Sequence, residues 1–338
     1  MTTREVEHEI TVAAPALAVY RLIAEVENWP RIFPPTLYVD HVERGEREER
    51  IRIWATANGA PKNWTSKRTL DPEGLRITFR QEVSTPPVAA MGGTWIIEPV
   101  SATESRIRLL HDYRAVDDDP EGLKWIDEAV DRNSRSELAA LKTNVELAHA
   151  SEEITFSFED TVRVEGSAKD VYDFVNEADR WPERLPHVAT VRFEEETPGL
   201  QSLEMDTRAK DGSTHTTKSY RVTFPHHRIA YKQITLPALM TLHTGYWTFT
   251  EDEDGVTASS QHTVVLNTGN IARILGADAT VADARDYVRT ALSTNSRATL
   301  GYAKEYAETK AGTGSVKAGT DSAEAGTGHA GPRTEGKG

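Results

Sequence analysis

Self-similarity at long range constrains this chain more than any other feature. The stretch VYRLIAEVENWPRIFP, Val19 to Pro34, returns as VYDFVNEADRWPERLP, Val171 to Pro186, displaced by 152 residues and with six of sixteen positions identical. Solenoid repeats recur every ~20–50 residues, so a period this long means two copies of a whole domain. Further landmarks return in the same order. WTSKRTLDPEGLRI from Trp64 corresponds roughly to HTTKSYRVTFPHHRI from His215, and Asn133-Ser134-Arg135 to Asn295-Ser296-Arg297. Domains are therefore expected over 1–150 and 151–310, and 338 residues suit two cores better than one. Residues 311–338, rich in Gly, Ala, Thr and Ser, carry too few apolar groups to offset the cost of ordering and are expected to form a disordered tail.

Within the first half, Val6 to Val12 alternates as a strand, and Pro15 to Glu25 reads as a helix opened by its proline. A second short helix over Glu27 to Ile32 is stopped by Pro34-Pro35. Six strand candidates follow, near Leu37–Arg44, Glu49–Ala57, Asn63–Leu70, Leu75–Val83, Thr94–Val100 and Ser105–Val116. Turn signals join them at Asn58-Gly59, Asp71-Pro72-Glu73-Gly74 and Gly92-Gly93. One long helix, Glu121 to Ala148, closes the half, with Ile126, Val130, Leu138, Leu141 and Val145 on an apolar stripe. Short turns cannot build parallel crossovers, so the order β-α-α-β6-α predicts an α+β fold. Each domain is expected to be a curved seven-stranded antiparallel sheet gripping its C-terminal helix round a cavity, and the second half repeats the order from Glu153 to Glu308.

Composition excludes several classes of function. With 38% hydrophobic and 27% charged residues the chain reads as globular and soluble. It has no cysteine, which removes disulfides, thiolate metal sites and cysteine nucleophiles, and its N-terminus has no apolar signal core, so a cytoplasmic location is the default expectation. A net charge of -14 opposes nucleic acid and anionic membrane as partners. No phosphate-binding loop, His-Glu-x-x-His or nucleophile elbow is present, and Gly326 to Gly331 matches Gly-x-Gly-x-x-Gly only inside the glycine-rich tail. The expectation is chemistry by side chains alone, with no metal and no cofactor.

Polar residues sharing parity with apolar strand neighbours point where burial is costly unless they have a partner or a task. On the strand from Trp64 to Leu70 that face holds Ser66 and Arg68; on the last strand of the half it holds Ile107, Leu109, His111 and Tyr113. Asn133 falls on the buried stripe of the long helix. In the second half His262 shares parity with Val264 and Leu266, and Asn295 lies on the stripe of Val288 and Leu292. The counterpart of Arg68 is either Ser219 or Arg221, depending on the alignment, and Arg221 is preferred as the guanidinium on that face. A lone inward histidine is more often a hydrogen-bonded core residue, but histidine and arginine facing one cavity favour binding or catalysis. Five of seven tryptophans (Trp29, Trp54, Trp64, Trp95, Trp125) lie in the first half, against Trp181 and Trp247 in the second. Trp54 and Trp64, without tryptophan counterparts, are candidates for stacking on a planar ligand.

The doubled helix-grip plan, the Val-Tyr…Trp-Pro stretches at Val19 and Val171, the Trp64-Thr-Ser-Lys-Arg68 strand and the Asn-Ser-Arg helix resemble the di-domain aromatase/cyclases of bacterial type II polyketide synthases, in the START/Bet v 1-like superfamily. The resemblance spans nearly all of residues 1–310. It implies regiospecific first-ring aldol closure, dehydration and aromatisation of a poly-β-ketone tethered to an acyl carrier protein, alongside other synthase components, in antibiotic biosynthesis. It also implies that Arg68 stabilises the enolate or alkoxide, with Arg221 its second-domain equivalent. His111, with Tyr113 or Tyr38, would move protons, and Trp64, Ser66, Trp95 and Asn133 would line the pocket together with Trp54. In the second pocket the expected binding residues are His215, placed near the position of Trp64, with Trp247, His262 and Asn295. The alternative is a non-catalytic carrier of a lipid or polyketide, because fold alone does not separate carrier from catalyst.

Overall fold

Alternation of period two drives each half of the chain into its own sheet. The computed structural model describes residues 3–146, 153–208 and 214–321, with backbone alone over 313–321. In the first domain β1 (Arg4–Val12) is followed by α1 (Ala16–Ala24) and α2 (Trp29–Ile32), then β2 (Thr36–Arg44), β3 (Glu48–Ala57), β4 (Ala60–Asp71), β5 (Arg76–Val83), β6 (Val88–Ser101), β7 (Glu104–Ala115) and the long α3 (Pro120–Glu146). The strands pair antiparallel in the order β1-β7-β6-β5-β4-β3-β2. The second domain repeats this with β8 (Thr155–Val164), α4 (Ala168–Asn176), α5 (Trp181–Arg184), β9 (Val188–Thr197), β10 (Leu200–Arg208), β11 (Thr214–Phe224), β12 (Arg228–Thr235), β13 (Met240–Asp252) and β14 (Gly255–Leu266), in the equivalent order. It adds α6 (Ile271–Leu275), which the sequence pattern does not reveal, before α7 (Val281–Asp321). The backbone of α7 runs past the expected boundary at 310, and residues 322–338 of the expected tail lie outside the described residues.

Local chemistry explains the joints. The β3–β4 hairpin turns at Asn58 and Gly59, both with positive φ, as a two-residue turn compatible with strand twist requires. Asn58 Nδ2 donates to the Trp125 carbonyl at 2.8 Å, tying that hairpin to α3. Asp119 accepts from Gly122 N at 2.7 Å and caps α3, with Pro120 at its first position. Gly92-Gly93 is not a turn, contrary to expectation, but lies inside β6. A Cβ on Gly93 would stand 2.0 Å from the Leu110 carbonyl oxygen and 2.6 Å from Phe79 Cζ, so glycine here admits the neighbouring strand and an aromatic ring.

Ile126, Val130, Leu138 and Leu141 are buried on α3 as its stripe predicts. The two domains pack through β2, β3, β10, β11 and β12, where Leu37, Trp54, Leu200, Tyr220 and Val222 form one apolar cluster flanked by Tyr38 and Phe224. Buried Lys232 crosses this interface and donates to the carbonyls of Phe33, Pro34 and Thr36 at 2.9, 3.0 and 2.9 Å. The three protons of the ammonium form match these three acceptors.

Candidate functional site

Each sheet closes round a hollow on the concave side of its long helix. The first has two lobes, an outer and an inner one, which share Trp29, Ile53, Trp64, Gln81, Met91, His111 and Glu137 at their junction. The second hollow lies under Trp181, Arg221, Tyr231, His243, Trp247 and His262.

In the first hollow Trp64 lines both lobes, Asn133 the outer one, and Ser66, Arg68 and Trp95 the inner one. Arg68 is 2% exposed, and its guanidinium is held by other groups: Nη1 donates to Glu49 Oε1 at 2.7 Å and to the Ala24 carbonyl at 3.3 Å, and Nη2 donates to the Ile23 carbonyl at 2.9 Å. It lies 5.1 Å above the Trp29 ring, and burial pulls its pKa down to about 10. The arginine thus ties the C-terminal end of α1 and a buried carboxylate to the sheet.

His111 has no such obligations, and its Nδ1 is buried without a hydrogen-bond partner. Burial, assisted by nearby His8, pushes its pKa down to about 4, so the imidazole is neutral at physiological pH. Ser66 Oγ also lacks a partner. Asn133 donates through Nδ2 to the Thr56 carbonyl at 3.0 Å. Glu137, absent from the sequence-based candidates, reaches the junction from α3, and desolvation raises its pKa to about 8. A carboxyl that keeps its proton near neutrality is a proton donor. The signal was available, since Glu137 continues the spacing Ile126, Val130, Asn133 to Leu141 on the buried stripe.

Three expected residues stand elsewhere. Tyr113 shares parity with His111 but is packed beside Ala115, Ile126 and Val130, its hydroxyl donating to Asp127 at 2.6 Å, and it lines neither lobe. Trp54 lies on the opposite face of β3 from Ile51, Ile53 and Ala55, where the second domain covers it. Tyr38 joins it there, 5.8 Å away, and its hydroxyl accepts from Arg228 at 2.8 Å. Both are interface residues. A large aromatic on the polar-face parity of β3 marks a covered outer surface, and that parity excludes Trp54 from the cavity.

The second hollow resolves the arginine alignment. Glu49 pairs with Arg68 across β3 and β4, and Gln201 pairs with Arg221 across β10 and β11. Arg221 also lies 5.4 Å above Trp181 and donates to the Val175 carbonyl at 2.8 Å, repeating the setting of Arg68. Here glutamine replaces the carboxylate, Arg221 Nη1 is buried with no partner, and burial lowers the pKa to about 10. The same register places Thr217 at the position of Trp64, and His215 at that of Lys62, so His215 is an exposed residue at the rim and not the counterpart of Trp64. His215, at the rim, lines the hollow with Trp247, His262 and Asn295, as expected.

Two unanticipated residues join His262. Tyr231 Oη lies 2.8 Å from His262 Nδ1 and 3.2 Å from His243 Nε2, the two imidazole nitrogens are 3.0 Å apart, and His262 Nε2 is 3.1 Å from Ser260 Oγ. Burial lowers the pKa of both imidazoles, to about 4 for His262, and raises that of the Tyr231 phenol. Eight buried side-chain atoms lack partners among the described residues, and five line the two hollows: Ser66 Oγ, His111 Nδ1, Arg221 Nη1, Gln233 Oε1 and His243 Nδ1. Unsatisfied buried polar groups are costly, and their concentration on cavity walls is what a polar ligand would satisfy.

The pattern of the family described as polyketide cyclase/dehydrase and lipid transport matches residues 3–146 and again 155–308. The chain belongs to this family. It is 63% identical over 299 residues to the granaticin polyketide synthase bifunctional cyclase/dehydratase of Streptomyces virginiae, covering 88% of this chain and 98% of that one. It is 46% identical over 308 residues to the actinorhodin polyketide synthase bifunctional cyclase/dehydratase of Streptomyces coelicolor, covering 88% and 95%. Among solved structures it is similar to the di-domain ARO/CYC BexL from the BE-7585A biosynthetic pathway, at 72% identity and a TM-score of 0.82 over 90% of this chain and 99% of that one. The di-domain ARO/CYC StfQ from the steffimycin pathway superimposes with the same score at 35% identity, over 91% and 99%. The two-domain plan is thus shared by relatives of the family along their whole length.

Proposed function

We propose that this protein is a polyketide cyclase/dehydratase that folds a poly-β-ketone, closes its first ring by intramolecular aldol addition and brings it towards the aromatic state. The substrate arrives tethered to an acyl carrier protein, in company with other type II polyketide synthase components. The observation that carries the reading is the junction of the two lobes in the first hollow, where an unpartnered imidazole and a proton-carrying carboxyl line one cavity walled by Trp29 and Trp64.

The chemistry needs a folded chain, a base, and an acid for the growing alkoxide. A methylene between two carbonyls is much more acidic than that of a simple ketone, so a neutral imidazole of low basicity is sufficient. His111 takes that proton, the enolate carbon attacks a distant carbonyl, and Glu137 delivers its proton to the resulting alkoxide. Solvent exchange at the mouth then returns a proton to Glu137 and removes one from His111. The tryptophan walls restrict the chain to few bends, and the resulting effective concentration supplies much of the acceleration. Arg68 contributes by fixing α1 and the inner wall. No cofactor is required for any step.

The test is product analysis with a minimal polyketide synthase and the purified full chain. His111→Gln, with folding verified by circular dichroism, is expected to lower the yield of correctly closed product by about 10²-fold relative to spontaneous shunt products. An unchanged product distribution refutes the assignment. A carrier would return its ligand chemically unaltered and would be indifferent to His111.

A further inference from the structure

The duplicated pocket has diverged at matched positions of the two domains. Across β5 and β6, Phe79 faces Gly93, which in turn faces His111 on β7; across β12 and β13, Tyr231 faces Gly245, which faces His262 on β14. Two residues before each glycine stand Met91 and His243. The first domain therefore surrounds its histidine with phenylalanine and methionine, and the second with a phenol and another imidazole. On the helix the difference is reversed, because Glu137 lies four residues after Asn133, whereas Thr299 lies four after Asn295. Gly245 admits the phenol as Gly93 admits its ring, since a Cβ there would stand 2.8 Å from Tyr231 Oη.

We infer that the second hollow is a distinct acid–base site that eliminates water from a cyclic β-hydroxy ketone, with Arg221 receiving the enolate oxygen. This rests on the cyclase/dehydratase reading and assigns the dehydration to the second domain. Arg221 and Tyr231 are direct cross-strand partners, so the guanidinium and the phenol enter the hollow from adjacent strands. Arg221 Nη1 and His243 Nδ1 are partnerless on residues that are 2% and 3% exposed, and Arg221 faces no cross-strand carboxylate to compete for an oxyanion.

The steps balance without a co-reactant. An imidazole of the pair takes the proton from the carbon beside the ketone, and the carbonyl oxygen gains negative charge against Arg221 Nη1–H. The enolate then re-forms the carbonyl and a carbon–carbon double bond, the Cβ–O bond breaks, and the departing hydroxyl takes a proton relayed through Tyr231 to leave as water. The contacts among Tyr231, His243, His262 and Ser260 supply the path for returning the first proton to the leaving group.

The experiment presents the full chain with a synthetic cyclic β-hydroxy ketone and follows loss of water by mass spectrometry, while ring closure is followed separately with a minimal polyketide synthase. Tyr231→Phe and His243→Met each install the residue type that the first domain carries, so both sides are known to suit this backbone. Each is expected to slow dehydration of the synthetic substrate by about 10²-fold, beyond the spontaneous rate. Dehydration at the wild-type rate in both variants overturns the inference, as does a wild-type chain that closes rings but does not dehydrate the synthetic substrate. Failure of the wild type to close rings instead strikes the parent reading. A variant that loses its circular dichroism signal is replaced by Arg221→Lys, expected to lower the same rate by at least tenfold, and its failure to do so counts against the inference equally.

Discussion

Replacing Arg68 by methionine separates two meanings of an inward arginine. The Arg68–Glu49 pair is almost fully buried, with side chains 2% and 5% exposed and 2.7 Å between Nη1 and Oε1. Removing one partner of such a pair typically costs about 3–5 kcal/mol, because the other charge stays desolvated. Glu49 would keep His41 Nε2 at 3.1 Å and the Ile23 carbonyl would keep the Trp29 indole N–H at 3.1 Å, while the Ala24 carbonyl would lose its guanidinium donor. For a cooperative unit of ~150 residues each kcal/mol moves the midpoint by about 2–4 °C, so the first-domain transition should fall by roughly 6–20 °C. Replacing both residues, Arg68→Met with Glu49→Leu, leaves no orphaned charge and should recover most of that loss. Arg221→Met should move the second-domain transition much less, since Gln201 is neutral. Calorimetry of the three variants checks this. If Arg68→Met melts within ~2 °C of the wild type yet loses ring closure, Arg68 acts on the substrate and the structural assignment is wrong.

Glu137→Gln keeps the shape of the first hollow and removes its acid, so ring closure should slow by about 10²-fold, measured by product yield. Burial raises the carboxyl of Glu137 from 4.5 to about 8, so the folded state holds a proton that the unfolded state has lost across this interval. Stability contributed by the group is present below about pH 4.5 and is lost as pH rises towards 8; denaturant midpoints in the Gln variant should lose that part of the decline. Lys232→Met leaves the carbonyls of Phe33, Pro34 and Thr36 without their shared donor and should cost about 3 kcal/mol or more, separating the melting of the two domains in calorimetry; a single unchanged transition would contradict the interface described here. Trp54→Ala should destabilise by about 3–5 kcal/mol in denaturant titrations without altering the products, whereas Trp64→Ala should change the product distribution.

Some of the inward groups are legible in the chain itself and others are not. That Arg68, His111, Asn133 and His262 face inward is legible because the parity of a half-buried strand and the stripe of a helix are properties of the chain itself. The same rule, applied further, finds Glu137 and removes Trp54. Tyr231 and His243 are not legible as site residues, because each has meaning only beside His262, and the three come from three different strands. Tyr113 shows the limit of parity: it faces inward, but α3 lies over it and the cavity ends before it.

The duplication, the order of elements and the inward faces follow from periodicity and repetition, which are local and need no partner to be read. Which inward groups remain free for a ligand was decided by tertiary packing alone. Glu49 opposite Arg68 and Gln201 opposite Arg221 give equivalent arginines different surroundings, and the packing of one domain on the other turns Tyr38 and Trp54 from cavity candidates into an interface. Pairing of buried charges depends on distances of a few ångströms between residues remote in sequence, and only the folded chain sets those distances.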